Sequence, residues 1–116
     1  MSNTTEAMMY RKVTAIVAST RLPAIEEALQ SLHISGVSVS QVRGYGEYRN
    51  FYQTDMMDTH ARIEMFCRKE QAKSIAQCVM KAAHTGVEGD GVVAILPVEH
   101  MYCIRTQSEW DEEGCF

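Results

Sequence analysis

The sequence predicts an α+β domain with a four-stranded sheet and two helices, and two observations support this class. Stretches with the two-residue alternation of a strand and stretches with the helical spacing of three and four follow one another in the order strand, helix, strand, strand, helix, strand. A glycine-bearing turn follows each predicted helix. Two successive βαβ halves predict the ferredoxin-like split βαβ fold, in which the helices cover one face of the sheet.

The first half consists of a strand, a helix and a second strand. Residues 12–17 alternate and then become apolar, which predicts a buried strand. From Thr20 onward, apolar residues recur on one helical face, namely Leu22, Ile25, Ala28, Leu29 and Leu32. The helix is expected to end before Gly36, and residues 37–43 alternate again as the second strand.

The second half repeats this order. Residues 61–67 alternate as a third strand, and a second amphipathic helix follows with Ala72, Ile75, Ala76, Val79 and Ala83 on its apolar face. A fourth strand runs to Leu96, and Pro97 is expected to end it because proline donates no ladder hydrogen bond. Residues 100–105 predict a short fifth strand.

Valine, isoleucine and methionine side chains are expected on the sheet face opposite the helices, which predicts an oligomer.

Composition limits the classes of function. The 116 residues suit one domain that needs no metal or disulfide for a core. A formal net charge of -4 argues against a nucleic-acid groove formed by bulk electrostatics. The four cysteines lack Cys-x-x-Cys spacing, which argues against zinc ribbons and thioredoxin-like chemistry. We expect reduced thiols and no metal site, and we weigh a Cys103–Cys115 disulfide below free thiols.

The chain ends are expected to lie outside the domain. Residues 1–10 predict a flexible N-terminus, residues 11–106 the domain, and residues 107–116 a flexible acidic tail with a lone Trp110. The first residues lack the cationic flank and apolar run of a signal peptide, and no apolar stretch is long enough to span a bilayer. These features predict a cytoplasmic protein.

Two loops carry the functional candidates. Residues 85–91 hold three glycines and Asp90, a composition that suits a phosphate cradle of main-chain amides, although a helix C-cap and turn explain it as well. Between Gly46 and Thr59 the sequence has no regular period, and loops of this length are often functional. Its aromatic residues Tyr48, Phe51 and Tyr52 either contact a partner protein or pack on their own subunit.

Several strings in one order resemble the P-II signal-transduction family over residues 12–106. They are Ser-Gly-Val-Ser-Val at 35–39, Val-Arg-Gly-Tyr-Gly at 42–46, Ala-Arg-Ile-Glu at 61–64, Ala-His-Thr-Gly-Val-Glu-Gly-Asp-Gly at 83–91 and Ile-Arg-Thr at 104–106. The resemblance implies a regulatory homotrimer without enzymatic activity. Adenine nucleotides would bind in clefts between subunits, and the long loop after the second strand, the T-loop of that family, would reach a partner protein.

The resemblance also implies residue roles. On one subunit the adenine would be lined by Gly36, Val37, Ser38, Glu64 and Phe66. On its neighbour the ribose and phosphates would be met by Thr85, Gly89, Asp90, Gly91 and Arg105. Main-chain amides and one arginine suit a diphosphate, and Asp90 would have a sugar hydroxyl or the arginine as its partner.

Departures from the family pattern refine this expectation. Typical P-II proteins have a lysine where this chain has Val92 and a second arginine where it has Cys103. Each charged hydrogen bond contributes about 1.5–3 kcal/mol, so ADP or AMP should be favoured over ATP. The glutamine that helps bind magnesium and 2-oxoglutarate is replaced near Glu47, so no 2-oxoglutarate response is expected.

This combination is most similar to the P-II-like proteins associated with carboxysome and bicarbonate-transport genes. That similarity implies control of inorganic carbon uptake or fixation through a target such as a membrane bicarbonate transporter. The small anion, bicarbonate, would be bound near the loop base by Gly44, Tyr45, Gly46, His60 and Arg62. Alternatively, Arg62 only pairs with Glu64 across the sheet.

Three other functions remain open from the sequence. One is a nitrogen-regulatory P-II protein that binds ATP and ADP. Another is a cation-binding trimer of the same fold that uses histidine and cysteine for copper. The third is an acylphosphatase-type enzyme, but such an enzyme needs its anion loop after the first strand, whereas these glycines follow the second helix.

Overall fold

A four-stranded sheet and two packed helices form the body of the protein in the computed structural model, which describes residues 4–34, 36–42 and 59–110. The helices are α1 (Thr4–Ala7), α2 (Leu22–Ser31) and α3 (Lys69–Ala83), with a 3-10 turn at Ser19–Arg21 before α2. The strands are β1 (Tyr10–Ala18), β2 (Ser38–Val42), β3 (His60–Arg68), β4 (Gly91–Val98), β5 (Tyr102–Cys103) and β6 (Ser108–Glu109).

The strand order of the main sheet is β2-β3-β1-β4, and every neighbouring pair is antiparallel. Helix α2 connects β1 to β2, and α3 connects β3 to β4, so each crossover passes over one intervening strand. This is the split βαβ topology. The ferredoxin-like α+β fold predicted from the sequence is confirmed.

The core lies between the helices and one face of the sheet. Alternate residues of β1 and β3 supply its sheet side, and the apolar stripes of α2 and α3 supply the other. Val13, Ile63, Met65, Ile25, Ile75 and Val79 are at most 1% exposed. Met65 therefore lies against the helices, so it does not belong to the uncovered face. None of the helices in the described ranges is long and apolar enough to cross a membrane.

Pro97 lies inside β4, which continues to Val98, so the prediction that it ends the strand is wrong. It pairs with Arg11 of β1. Strand β4 is the last strand of the sheet order, and an edge strand tolerates proline because one side of its backbone needs no ladder partner.

Both chain ends have secondary structure where the sequence predicted flexible segments. The Arg11 guanidinium is buried and donates to the carbonyls of Thr5, Met8 and Tyr10 at 2.7–2.9 Å, which ties α1 to β1. Strands β5 and β6 form a hairpin, and Trp110 after it packs against Tyr10 in a tilted arrangement, with ring centroids 5.4 Å apart. Residues 1–3 and 111–116 lie outside the described residues.

One cysteine also departs from expectation. Cys103 is buried and disulfide-bonded, so the expectation of reduced thiols is wrong for it. Cys67 and Cys78 are free, and Cys115 lies outside the described residues. Burial raises the pKa of the Cys67 thiol, although the positive charge of Arg11 opposes that rise. Sequence spacing alone does not reveal which sulfurs a fold brings together.

Candidate functional site

The turn between α3 and β4, residues 84–91, is organised around the Asp90 carboxylate; we call it the glycine turn. Asp90 Oδ2 accepts hydrogen bonds from the backbone N–H groups of Thr85 and Gly86, both at 2.9 Å. Asp90 Oδ1 accepts a short hydrogen bond from the Thr85 hydroxyl. That hydroxyl oxygen in turn accepts from the backbone N–H of Val87 at 3.2 Å. The carboxylate thus fixes the first half of the turn from inside.

These contacts stabilise the charged form of Asp90. Hydrogen bonds from the side chain and backbone of Thr85, followed by the Gly86 N–H, lower the pKa of Asp90 below its ordinary value of 3.8. His84, whose Nδ1 lies 3.8 Å from Asp90 Oδ2, also lowers the pKa of Asp90, whereas partial desolvation raises that pKa. Asp90 is therefore a carboxylate at neutral pH.

Two of the three glycines in the turn show why glycine stands there. Gly86 and Gly91 have φ values of 84° and 105°, in the left-handed region that favours glycine. A Cβ on Gly91 would lie 1.7 Å from the carbonyl oxygen of Ile16, whereas the nearest atom to a Cβ on Gly86 is 3.8 Å away. Gly91 is needed for the close approach of β4 to β1.

Two side chains from distant parts of the sequence anchor the end of α3 and the turn that follows it. Arg21 donates to the Ala82 carbonyl from Nε at 3.0 Å and from a terminal nitrogen at 2.7 Å, which satisfies an end carbonyl of α3. His60 is 3% exposed, and its Nε2 lies 2.7 Å from the Gly89 carbonyl oxygen. A carbonyl only accepts, so Nε2 carries the proton. Sequence reasoning missed both anchors because they depend on tertiary contacts.

The proposed adenine side lies on β2 and β3. Ser38 is opposite Glu64 in the ladder, and its hydroxyl lies 3.5 Å from the Glu64 carbonyl oxygen. Glu64 and Phe66 are two residues apart and share one face of β3, where Glu64 pairs with Lys12 at 3.2 Å. Gly36 and Val37 lead into β2. Phe66 is half exposed.

Within one subunit Ser38 of the predicted adenine side and the glycine turn lie at opposite edges of the sheet. Ser38 begins β2 at one edge of the sheet, and Gly91 begins β4 at the other. Three strand spacings separate these edges, about 14 Å. Ser38 and the glycine turn therefore do not line a common cleft within one chain.

The hairpin after β4 contributes the remaining candidates. Arg105 lies between β5 and β6 and lines a depression of about 500 Å³ together with Phe66, Tyr102 and Ile104. Phe66 and Arg105, assigned to opposite subunits in the sequence analysis, thus also line one depression within a single chain. Cys103, where the family pattern has a second arginine, is buried in its disulfide.

The proposed anion site is described only in part. Arg62 is about half exposed, and its Nε lies 3.9 Å from Glu64 Oε1, the pairing considered as the alternative in the sequence analysis. His60 is buried and directs Nε2 at Gly89. The other three members, Gly44, Tyr45 and Gly46, lie outside the described residues, as do the loop aromatics Tyr48, Phe51 and Tyr52. Among the described residues, no group of three His, Cys, Asp or Glu side chains could hold a metal ion.

Comparison with known proteins identifies the family. Residues 10–108 match the family described as Nitrogen regulatory protein P-II. The chain belongs to the P-II family. It is therefore a member of a family of regulatory proteins, and the family resemblance seen in the sequence is confirmed.

Individual P-II proteins are similar along most of the chain. The Microchaete diplosiphon protein is 33% identical over 103 residues, which cover 83% of this chain and 92% of that protein. The Arabidopsis thaliana homolog is 31% identical over 105 residues, 84% of this chain. This chain spans about half the length of the Arabidopsis and rice homologs, 54% and 50%. The crystal structure of Arabidopsis P-II bound to citrate matches with a TM-score of 0.77 and 33% identity, covering 92% of both chains.

Proposed function

We propose that this P-II protein is a cytoplasmic, non-enzymatic sensor of adenine nucleotides that acts as a homotrimer. The nucleotide binds in a cleft between subunits, where the strand half-site of one copy faces the glycine turn of the next. The observation that carries this proposal is that Ser38 of the strand half-site and the glycine turn lie at opposite edges of the sheet, about 14 Å apart. A second copy brings complementary halves together without distorting either.

The backbone N–H groups of the glycine turn differ in whether they already donate a hydrogen bond within the turn. Thr85 and Gly86 donate to Asp90, and Val87 donates to Thr85, so these three N–H groups are already used. A phosphate therefore meets the second half of the turn, from Glu88 to Gly91. Arg105 of the hairpin supplies the guanidinium, which suits the planar, bidentate geometry of phosphate oxygens.

The charges around the turn favour ADP or AMP over ATP. Val92 provides an apolar side chain directly after the turn, and the Cys103 sulfur is committed to a disulfide. Neither position supplies a cation for a distal phosphate. Compared with a site that has both cations, the loss of two charged hydrogen bonds of about 1.5–3 kcal/mol each weakens binding of a γ-phosphate by about 100-fold or more.

Bicarbonate is the second proposed ligand, and the partner is a protein of inorganic carbon uptake or fixation, such as a membrane bicarbonate transporter. The solved Arabidopsis P-II is bound to citrate, so a protein of this fold accommodates a small carboxylate anion. In this chain Arg62 is the described cation of the proposed anion site, and its ion pair with Glu64 is long, 3.9 Å, and partly exposed, so it holds Arg62 only weakly against a competing anion.

A calorimetric titration panel tests the nucleotide proposal. ATP, ADP, AMP and cyclic AMP are titrated separately, with and without bicarbonate and 2-oxoglutarate. We expect micromolar binding of ADP or AMP, weaker binding of ATP, and no release of inorganic phosphate. If none of the four nucleotides binds at millimolar concentration, the sensing function is excluded.

The anion proposal is tested with Arg62→Ala. In the presence of saturating ADP, this variant should bind bicarbonate at least tenfold more weakly than the natural protein. Lys12→Ala is the matched control, since Lys12 also pairs with Glu64 but was not assigned to the anion site. Equal bicarbonate affinity of Arg62→Ala and the natural protein would remove Arg62 from the site.

A nitrogen-regulatory role is the second candidate, because the relatives named above are nitrogen regulatory proteins. It makes the opposite prediction in the same panel. Tighter binding of ATP than of ADP, together with binding of 2-oxoglutarate, would favour it over the carbon-linked function.

A further inference from the structure

His60 occupies the junction between the glycine turn and the end of the sheet. It begins β3 and is opposite Ala18 of β1 and Val42 of β2 in the two ladders. Val42 is the last residue of β2, and residues 43–58 connect it to Thr59 in the sequence. Residue 60 therefore lies where that connection rejoins the sheet.

The contact from His60 reaches the second half of the turn, the half proposed above to meet a phosphate. Its imidazole donates to the Gly89 carbonyl at 2.7 Å, and Gly89 precedes Asp90 directly. The adjacent Thr59 carbonyl accepts from the Ser19 N–H at 2.8 Å, which fixes the backbone at the base of the histidine. The imidazole is 3% exposed, so water does not readily replace the carbonyl if this bond breaks.

We propose that His60 is a positioning residue that couples the glycine turn to the start of β3. The proposal rests on the nucleotide-sensing function above. It adds that the His60 side chain links a nucleotide at the glycine turn to the end of the sheet next to residues 43–58. A nucleotide that fixes Gly89 also fixes the imidazole and the first residues of β3. By linkage, whatever displaces the start of β3 changes nucleotide affinity by the same factor.

Two substitutions separate the hydrogen bond from the volume of the side chain. His60→Phe fills the buried space without a donor, whereas the amide nitrogen of His60→Gln reaches about as far as Nε2. Hydrogen exchange of the backbone amides at 86–91 is measured without ligand, and at 59–61 with and without saturating ADP. ADP affinity is measured by calorimetry.

The natural protein should show slowed exchange at 59–61 when ADP binds. In His60→Phe the ligand-free turn should exchange about tenfold faster, ADP should bind about tenfold more weakly, and saturating ADP should no longer slow exchange at 59–61. His60→Gln should restore all three. A merely structural histidine would leave the ADP-dependent protection at 59–61 intact in His60→Phe.

The outcomes distinguish this inference from the function it rests on. If the natural protein binds no adenine nucleotide, the proposed function fails, and ligand-free exchange at 86–91 still decides whether His60 positions the turn. Equal exchange in the natural protein and His60→Phe would overturn the inference. If His60→Phe does not fold, His60→Asn, whose amide is too short to reach Gly89, replaces it under the same criteria.

Discussion

Asp90 shows how one carboxylate can hold a turn in the shape required for the proposed phosphate contact. Its oxygens take the N–H groups of Thr85 and Gly86 and the hydroxyl of Thr85, so the first half of the turn is fixed before any ligand arrives. A preformed turn loses little conformational entropy on binding. The negative charge beside the proposed phosphate position also disfavours a further phosphate group, in agreement with the proposed preference for ADP or AMP.

The lowered pKa of Asp90 predicts a pH-dependent contribution to stability. A carboxyl whose pKa is lower in the folded than in the unfolded protein stabilises the fold fully above its unfolded pKa. This contribution is lost as the pH falls from about 3.8 through the lower folded pKa. We expect Asp90→Asn to lower the urea midpoint at pH 7, with the difference from the natural protein shrinking in that acid window.

The control for this measurement is Glu109→Gln. Glu109 pairs with His100 at 2.6 Å on the exposed β5–β6 hairpin, away from the turn. Urea unfolding of the three proteins is followed from pH 2.5 to pH 7. A difference between Asp90→Asn and the natural protein that stays constant across this range would contradict the assigned role of the Asp90 charge.

Contacts between residues far apart in the sequence were the part of the site that the sequence could not predict. The pattern of glycines and Asp90 was sufficient to single out the turn, because their backbone requirements are local. Arg21 and His60 stand 61 and 29 residues from the carbonyls they contact. No spacing rule connects such partners, so their roles emerged only from the fold.

At the scale of elements, β4 depends on how closely its first residue approaches β1. Gly91 pairs with Val17 and lies against the Ile16 carbonyl, where any side chain collides with backbone rather than with a movable side chain. The three-glycine turn and the sheet edge are therefore parts of one arrangement. The start of β4 also sets the position of the amides just before it.

Gly91→Ala should destabilise the protein far more than Gly86→Ala. Both positions have positive φ, which costs an alanine roughly 1–2 kcal/mol. Only Gly91 adds the collision at 1.7 Å, so its total cost should reach about 3 kcal/mol or more. Urea unfolding at pH 7 measures both variants. Equal losses would show that β4 can move away from β1 without penalty.

The elements that the sequence predicted are those with a strong local period. Strands β1 and β3 alternate and were predicted within two residues of their observed ends, and α2 and α3 carry the apolar faces that the spacing predicted. The ends of the chain were interpreted less well. Helix α1 is four residues long and is held by the buried Arg11, while Trp110 is held by Tyr10, and neither contact has a sequence period.

At the scale of the whole molecule, the described residues cover the sheet face opposite the helices only at its two ends. His60 and the glycine turn meet at one end, and Tyr10 and Trp110 at the other. Between them lie exposed apolar side chains of Phe66, Val92 and Leu96, each 42–49% exposed. The same face carries the Lys12–Glu64 ion pair at 3.2 Å. A surface of this kind is suited to association with further copies of the chain.

Assembly and nucleotide binding should therefore fail together when this face is charged. Ala94 and Leu96 are two residues apart on the same side of β4 and away from the glycine turn, so Ala94→Glu combined with Leu96→Glu places two carboxylates on the association surface. We expect the natural protein to have three times the mass of the chain by light scattering, and the double variant to have the mass of one chain. Because each half-site is then alone, ADP affinity should fall at least 100-fold.

Met80→Glu is the control, since Met80 is 54% exposed on α3, away from this face, and the variant should remain trimeric and bind ADP normally. A double variant that is monomeric yet binds ADP with unchanged affinity would show that one chain holds the nucleotide alone, and the cleft between subunits would have to be abandoned.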